Sequence, residues 1–393
     1  MLIAGEASGD LLAAELVSAL RAKVLQAESA HTNDVQPLRT QLAPHFFGAG
    51  GPKMATAGVD LAFDMTKHSV IGISDVLKKY FEFKRLFNQL LKLAIERQPD
   101  VIIGVDFGGF NLRFGHAIKQ YVRHHSGMFS GWNPKIVQFI SPQVWASRPG
   151  RAYQLERDYD LLLSIFPFEK DWYAERVPKL NVQFVGHPMV GRFQKAECEK
   201  RKTETSTPTV LFLPGSRKGE LQRHLPVMMG ALSLIQKKNP AAKAKMVLPN
   251  ESLVKLAKSL GAKMEIQIGN LPAALAEADV AIASTGTVTM ECAFFGVPTV
   301  TLYKTSLMTY EIAKRIITVK SITMPNLLTG EEVFPEFIQY AATAENIARA
   351  MLELLTDEPR RARIKSKLAQ IVASLGGPGA SDRAADAILS LTK

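Results

Sequence analysis

The sequence predicts an α/β protein built from two Rossmann-like domains that face each other across a cleft. Three observations carry this expectation. In the first half, short β-branched runs ("MLIA", "HFFGAG", "PDVIIGVDF", "PKIVQFIS", "YDLLLSIFP") alternate with helical patterns, as parallel strands joined by helices do. The alternation restarts at Thr209 with "TVLFLPGS", "AKMVLP", "EIQIG", "DVAIAST" and "TVTLYK". At 393 residues the chain exceeds what one hydrophobic core usually serves, so two cores are expected.

Taken in order, the first strand is followed by a helix over about 10–26, and continuous apolar runs such as Val101-Ile102-Ile103 mark strands covered on both faces. The first domain is expected over 1–194. A charged, Ser/Thr-rich stretch over 195–208, "KAECEKRKTETSTP", reads as a linker. The second domain follows over 209–375 and closes with helical segments near 343–355 and 359–375. Residues 376–393 include "DRAADAILSL", whose spacing suits a short amphipathic helix able to cross back onto the first domain.

Composition narrows the classes. With 47% hydrophobic and 22% charged residues the chain is an ordinary folded protein rather than a disordered one. Its two cysteines, Cys198 and Cys292, lie far apart and suit a reducing cytosol, with no disulfide framework or metal cluster. The opening "MLIAGEASGD" lacks the pattern of a signal peptide, so the protein is expected to stay inside the cell. The longest mostly apolar stretch, 280–303, contains Glu291, Pro298 and two glycines, which argues against a membrane span. A net charge of +11 points to an anionic partner, nucleic acid, acidic lipid or a phosphorylated substrate, or alternatively to no more than a soluble basic surface.

Two strand–Gly loop–helix units stand out. In "FLPGSRKGEL" the residues Gly215, Ser216 and Arg217 fall at the start of a helix, where free N–H groups, the helix dipole and a guanidinium suit a phosphate or diphosphate, or where Arg217 is alternatively a surface cap. In "LIAGEASGDL" the polar residues are Glu6, Ser8 and Asp10. Both loops leave the first strand of their sheets, so both are expected to line the cleft. "ASTGTVTMEC" adds a Thr285-Gly286-Thr287 turn before a helix carrying Glu291, a carboxylate able to accept hydrogen bonds from a ribose, or alternatively a favourable charge near a helix start. Asp106 ends a buried strand and reads as a general base, or alternatively as a cap on the next segment; Glu6, Asp10 and His187 are the next candidates for the base. The Asp158-x-Asp160 pair precedes a strand without a third oxygen ligand and is not read as a metal site. Segment 69–98 mixes Phe81, Phe83, Leu86 and Phe87 with several lysines and arginines; it fits either a membrane-interface helix, with those four side chains as the expected membrane contact, or one packed on its own sheet.

Read together, "GEASGD" (5–10), "GAGGPKM" (48–54), "VIGISDVL" (70–77), "VDFGGFN" (105–111), "ISPQVWA" (140–146), "FPFEKDWY" (166–173), "VGHP" (185–188), "LPGSR" (213–217), "STGTVTMEC" (284–292) and "MPNLLTGEEVFPEFIQ" (324–339) make the chain resemble the lipid-A-disaccharide synthases, inverting glycosyltransferases of the GT-B fold. The resemblance implies a reaction joining UDP-2,3-diacylglucosamine to 2,3-diacylglucosamine 1-phosphate, giving the β-1′,6 disaccharide and UDP, without cofactor or metal. It implies that Arg217 and the helix dipole stabilise the departing diphosphate, that Glu291 holds the ribose, that Asn326 completes the nucleotide site, and that Asp106 takes the acceptor 6-hydroxyl proton. It also implies a cytoplasmic enzyme peripheral on the inner face of the inner membrane, with no nucleic-acid partner and with homodimerisation left open. Where the family often reads Asp-x-Pro-Asp-Phe-Asn, Gly108 and Gly109 replace Pro and the second Asp. The rival expectations are another UDP-sugar enzyme of the same fold, an epimerase or peptidoglycan glycosyltransferase, and a nonenzymatic sugar-nucleotide or lipid-binding relative.

Overall fold

The computed structural model describes residues 1–31, 44–68, 76–125, 127, 131–197 and 207–392. The chain forms two compact units: Met1–Pro188 with Gly377–Lys393, and Met189–Gly376. Most of the expected linker falls on 198–206, and Cys198 with it, outside the described residues.

In the first unit the order is β1 (Leu2–Ala4), α1 (Ala7–His31), β2 (Phe47–Gly50), α2 (Pro52–Thr56), β3 (Asp60–Asp64), α3 (Val76–Arg97), β4 (Val101–Val105), α4 (Gly108–His125), β5 (Lys135–Phe139), α5 (Val144–Ser147), α6 (Arg151–Asp158), β6 (Leu161–Ser164), α7 (Pro167–Arg176) and β7 (Val182–Phe184). The strands form one parallel sheet in the order β3-β2-β1-β4-β5-β6-β7.

The second unit begins in α8 (Pro188–Glu197) and continues β8 (Thr209–Leu213), α9 (Lys218–Lys238), β9 (Lys243–Leu248), α10 (Glu251–Ser259), β10 (Glu265–Ile268), α11 (Leu271–Glu277), β11 (Val280–Ser284), α12 (Thr287–Phe294), β12 (Thr299–Tyr303), α13 (Leu307–Ile316), α14 (Met324–Thr329), β13 (Glu336–Ile338), α15 (Ala344–Thr356) and α16 (Glu358–Ser374). Its sheet is also parallel, ordered β10-β9-β8-β11-β12-β13. The last helix, α17 (Ala380–Ser390), belongs to the first unit, packs on α1 and ties Lys23 to Asp386 at 2.7 Å.

The apolar runs become the central strands because both faces of each sheet carry helices. All of β11 and four residues of β4 are buried. In the first unit Ile3, Ile102 and Phe114 meet Leu86 and Leu90 of α3 in one core. Leu90 is fully buried, so truncation to Ala would cost about 2–5 kcal/mol. Among the described residues no helix is long and apolar enough to cross a membrane.

Both sheets follow the doubly wound pattern in which the strand order reverses beside the first strand of the unit. The reversal lies between β1 and β4 in the first unit and between β8 and β11 in the second. Loops leaving the carboxyl ends of such neighbouring strands diverge to opposite faces and leave a crevice for ligand.

Candidate active site

In the first unit the crevice is flanked by Gly5–Asp10 after β1 and by Asp106 after β4. Gly5 is required there, because a side chain would collide with the Phe107 ring. Asp106 and Phe107 both adopt left-handed backbone conformations, with φ of 51° and 47°. Such a pair is strained for residues with a Cβ. The strain is held by buried amides: Asn111 Nδ2 and Gln138 Nε2 donate to the Asp106 carbonyl at 2.8 and 2.9 Å. Burial raises the Asp106 carboxyl above its ordinary value, and the nearby Glu6 carboxylate adds to the rise. Glu6 and Asp106 are thus brought together, and a more basic carboxylate suits proton abstraction. Ser8 is exposed on the first turn of α1.

Two other expected residues go elsewhere. Asp10 is buried and its carboxylate accepts N–H bonds from Gly51, Lys53 and Met54 at 2.8, 3.0 and 3.0 Å, satisfying the start of α2. It is a structural cap, which corrects its expected role toward the acceptor. His187 follows β7, three strands from β4, with its ring against Phe166 at 5.4 Å.

In the second unit the β8 loop enters α9 with Arg217 as N-cap, and Gly215 takes a φ of 114°. The Ser216 and Arg217 N–H groups donate to Glu220 Oε2 at 3.1 and 3.3 Å, and Arg217 Nη1 donates to Glu220 Oε1 at 3.2 Å. An internal carboxylate therefore occupies the donors of this anion cradle, a feature the sequence reading missed although Glu220 stands at the capping-box position. Behind the loop, His224 is buried; Nδ1 donates to Pro214 O at 2.7 Å while Nε2 accepts from Lys304 N at 3.0 Å. Burial lowers its pKa, so the neutral ring bolts the loop to the end of β12.

Beside it, β11 ends in Thr285, Gly286 and Thr287, with Gly286 at φ 127° capping α12 and open space where its side chain would be. Glu291 is half-buried one turn into the unit's switch-point helix; burial pushes its carboxyl up to about 7, opposed by Arg192 of α8. Gly215–Arg217 and Thr285–Glu291 thus flank one crevice, since β8 and β11 are adjacent. Asn326 does not present its amide there. Nδ2 donates to Phe334 O and Glu336 Oε1 at 2.7 and 2.8 Å, and Oδ1 accepts from Val333 N and Phe334 N at 2.9 and 2.8 Å. All four hydrogen-bonding positions are consumed. The residue anchors α14, correcting the expectation of a direct nucleotide contact.

The membrane-contact set divides as well. Phe81 is 66% exposed, but Leu86 is 3% exposed and lies in the core. Phe83 and Phe87 are partly buried and pack their rings against Phe107, Phe110 and Phe114. Leu86 is corrected to a core residue, because this face of α3 covers the sheet. Asp158 and Asp160 are each held by basic side chains: His116 Nδ1 at 2.8 Å, Arg123 and Arg157 around the first, Lys119 and Lys135 around the second.

The sequence matches the family model described as lipid-A-disaccharide synthetase over residues 1–390. It is 35% identical over 405 residues to the lipid-A-disaccharide synthase of Trichlorobacter lovleyi, covering 100% of this chain and 97% of the relative. The chain belongs to the lipid-A-disaccharide synthase family. The synthase of Myxococcus xanthus is 32% identical over 400 residues, with 100% and 97% covered. Among solved structures, the S. aureus MnaA–UDP co-structure aligns with a TM-score of 0.63 at 12% identity, covering 100% of this chain and 95% of the other. A putative UDP-N-acetylglucosamine 2-epimerase from Listeria monocytogenes aligns at 0.59 and 13%, with the same coverage. At such identity these share the GT-B fold alone. As a lipid-A-disaccharide synthase family member, the chain is a glycosyltransferase that forms the lipid A disaccharide; the epimerase alternative is not favoured.

Proposed function

We propose that the second unit holds UDP-2,3-diacylglucosamine and the first holds 2,3-diacylglucosamine 1-phosphate. The diphosphate rests on the Gly215–Arg217 loop and the ribose hydroxyls on Glu291, with Thr285, Gly286 and Thr287 shaping the turn. Asp106 accepts the proton of the acceptor 6-hydroxyl as that oxygen bonds to the anomeric carbon. The bond from that carbon to the UDP oxygen breaks on the opposite face, so configuration inverts and UDP leaves with the charge that Arg217 stabilises. Burial, with Glu6 adding to it, keeps Asp106 basic, and Ser8 is available to sugar hydroxyls.

The observation that carries this reading is that Asp106 and the Arg217 loop stand at the carboxyl-end switch points of their respective sheets. The protein reaches its lipid substrates as a peripheral enzyme on the inner face of the inner membrane, with exposed Phe81 and its basic neighbours Lys84, Arg85 and Lys92 on α3 as one contact. The test supplies both lipids and measures disaccharide and UDP together. Asp106→Asn is expected to keep UDP binding and slow turnover by about 10²–10⁴. Near wild-type turnover would move the base to another residue.

A further inference from the structure

The helix α13 spans ten residues and none of them is buried. Leu307, Met308 and Ile312 are 59%, 75% and 47% exposed. Just beyond its end Ile317 is exposed too, and Tyr340, edge-on to Tyr310, adds an exposed aromatic ring. An amphipathic helix in a soluble domain normally turns its apolar stripe inward, so large side chains gathered on the outside mark an interaction surface.

Charge selects the occupant. The last turn carries Lys314 and Arg315, Lys320 follows, and the helix has a single acid, Glu311. An anionic bilayer satisfies both features, taking the apolar side chains among acyl chains and the cations among phosphate headgroups. Position supplies the use. The helix leaves the carboxyl end of β12, the strand paired with β11, whose own carboxyl end carries Gly286. The apolar face therefore belongs to the same end of the sheet as the nucleotide-side loops.

We propose that α13 is a membrane-docking surface of the second unit, which seats it on an anionic bilayer beside the diacylated donor. This rests on the reading that the second unit takes a lipid-linked sugar nucleotide. Contact through α3 would bring only the first unit to the membrane; α13 gives the second unit a contact of its own.

The test uses the full-length chain with Met308→Cys in a Cys198→Ser background, labelled with a polarity-sensitive fluorophore; Cys292 is buried. Lys258→Cys, exposed on α10, serves as the control label. With vesicles of phosphatidylethanolamine and phosphatidylglycerol, the 308 label should shift to the blue and the 258 label should not. Added salt should weaken the response without abolishing it, because screening acts on the headgroup contacts and not on apolar insertion. L307S/M308S/I312S should reduce vesicle sedimentation by roughly ten-fold or more with uridine affinity unchanged. A silent 308 label, or a shift that needs no vesicles and grows with protein concentration, overturns the proposal. Failure of the wild-type enzyme to make disaccharide from detergent-dispersed lipids would sink the donor assignment instead, and leaves the 308 response to be judged by itself.

Discussion

Asn111 reaches back from the first turn of α4 and donates its Nδ2 to the carbonyl of Asp106 at 2.8 Å. The same carbonyl receives Gln138 Nε2 from β5 at 2.9 Å. Two donors on one oxygen fix the peptide that follows Asp106, and with it a turn in which two residues bearing side chains have positive φ. Each such residue costs on the order of 1–3 kcal/mol and persists only where its surroundings over-determine it. Asn111 and Gln138 are fully enclosed, and Gly104 leaves them the room: a side chain there would stand 2.7 Å from Gln138 Oε1 and 2.9 Å from the Asn111 Cβ.

Asn111→Ala should therefore lower kcat through misplacement of Asp106 while leaving KM for the donor unchanged. Loss of a buried hydrogen bond should also cost about 1–3 kcal/mol of stability. Steady-state kinetics beside thermal unfolding checks both. A stability loss with normal kcat would confine Asn111 to the fold.

On α3 the two faces should separate cleanly. Leu86→Ser removes a core side chain and should destabilise the first unit by several kcal/mol, about 2–5 on the scale of comparable truncations. Phe81→Ser should leave the melting temperature within a degree or two of the parent, since exposed positions usually contribute within ~0.5 kcal/mol, and should weaken vesicle binding. A Phe81→Ser protein that sediments with vesicles as the parent does would remove α3 from the membrane contact.

The strands, the restart at Thr209 and the two switch-point loops were legible because continuous apolar runs and Gly-bearing turns are local signals. Less legible was which polar residues in those motifs serve the fold. Asp10 and Asn326 sit in polar-rich motifs, yet their partners, residues 51–54 and 333–336, are remote enough that no periodicity reveals the bonds. The motifs "ISPQVWA" and "FPFEKDWY" prove to be each other's partners. Trp145 Nε1 donates to Glu169 Oε1 at 3.0 Å, and Ser141 Oγ donates to the Tyr173 hydroxyl at 3.2 Å. Leu86 reads as a membrane contact in the sequence because segment 69–98 is apolar and basic together, and only packing tells its two faces apart.

At the anion cradle, Glu220 competes with any diphosphate for the Ser216 and Arg217 N–H groups. Glu220→Gln should tighten UDP binding by several-fold while leaving uridine affinity unchanged, because only the diphosphate meets the carboxylate. Arg217→Ala should weaken UDP by ten-fold or more, the loss of a charge-assisted bond worth about 1.5–3 kcal/mol. Calorimetry with UDP and uridine separates the two effects, and equal changes for both ligands would place the cradle away from the diphosphate.

The carboxyl of Glu291 supplies a pH signature. Burial raises it to about 7, above the ordinary carboxylate value, against the pull of Arg192. The folded state therefore holds this proton more tightly than the unfolded chain does. Its contribution to stability is fully present below the unfolded value of about 4.3 and is lost as pH rises toward 7. Glu291→Gln, neutral at every pH, should stabilise the second unit at pH 8 by on the order of 1–3 kcal/mol relative to the parent. Binding runs the opposite way. An ionised carboxylate accepts hydrogen bonds from both ribose hydroxyls, whereas the protonated form must donate at one oxygen. Uridine affinity should consequently rise between pH 6 and 8 in the parent and stay flat and weak in Glu291→Gln. Uridine is the right probe because it has no phosphate titrating in that window. A parent profile as flat as that of the variant would take the ribose away from Glu291 and leave its burial without a ligand-binding role.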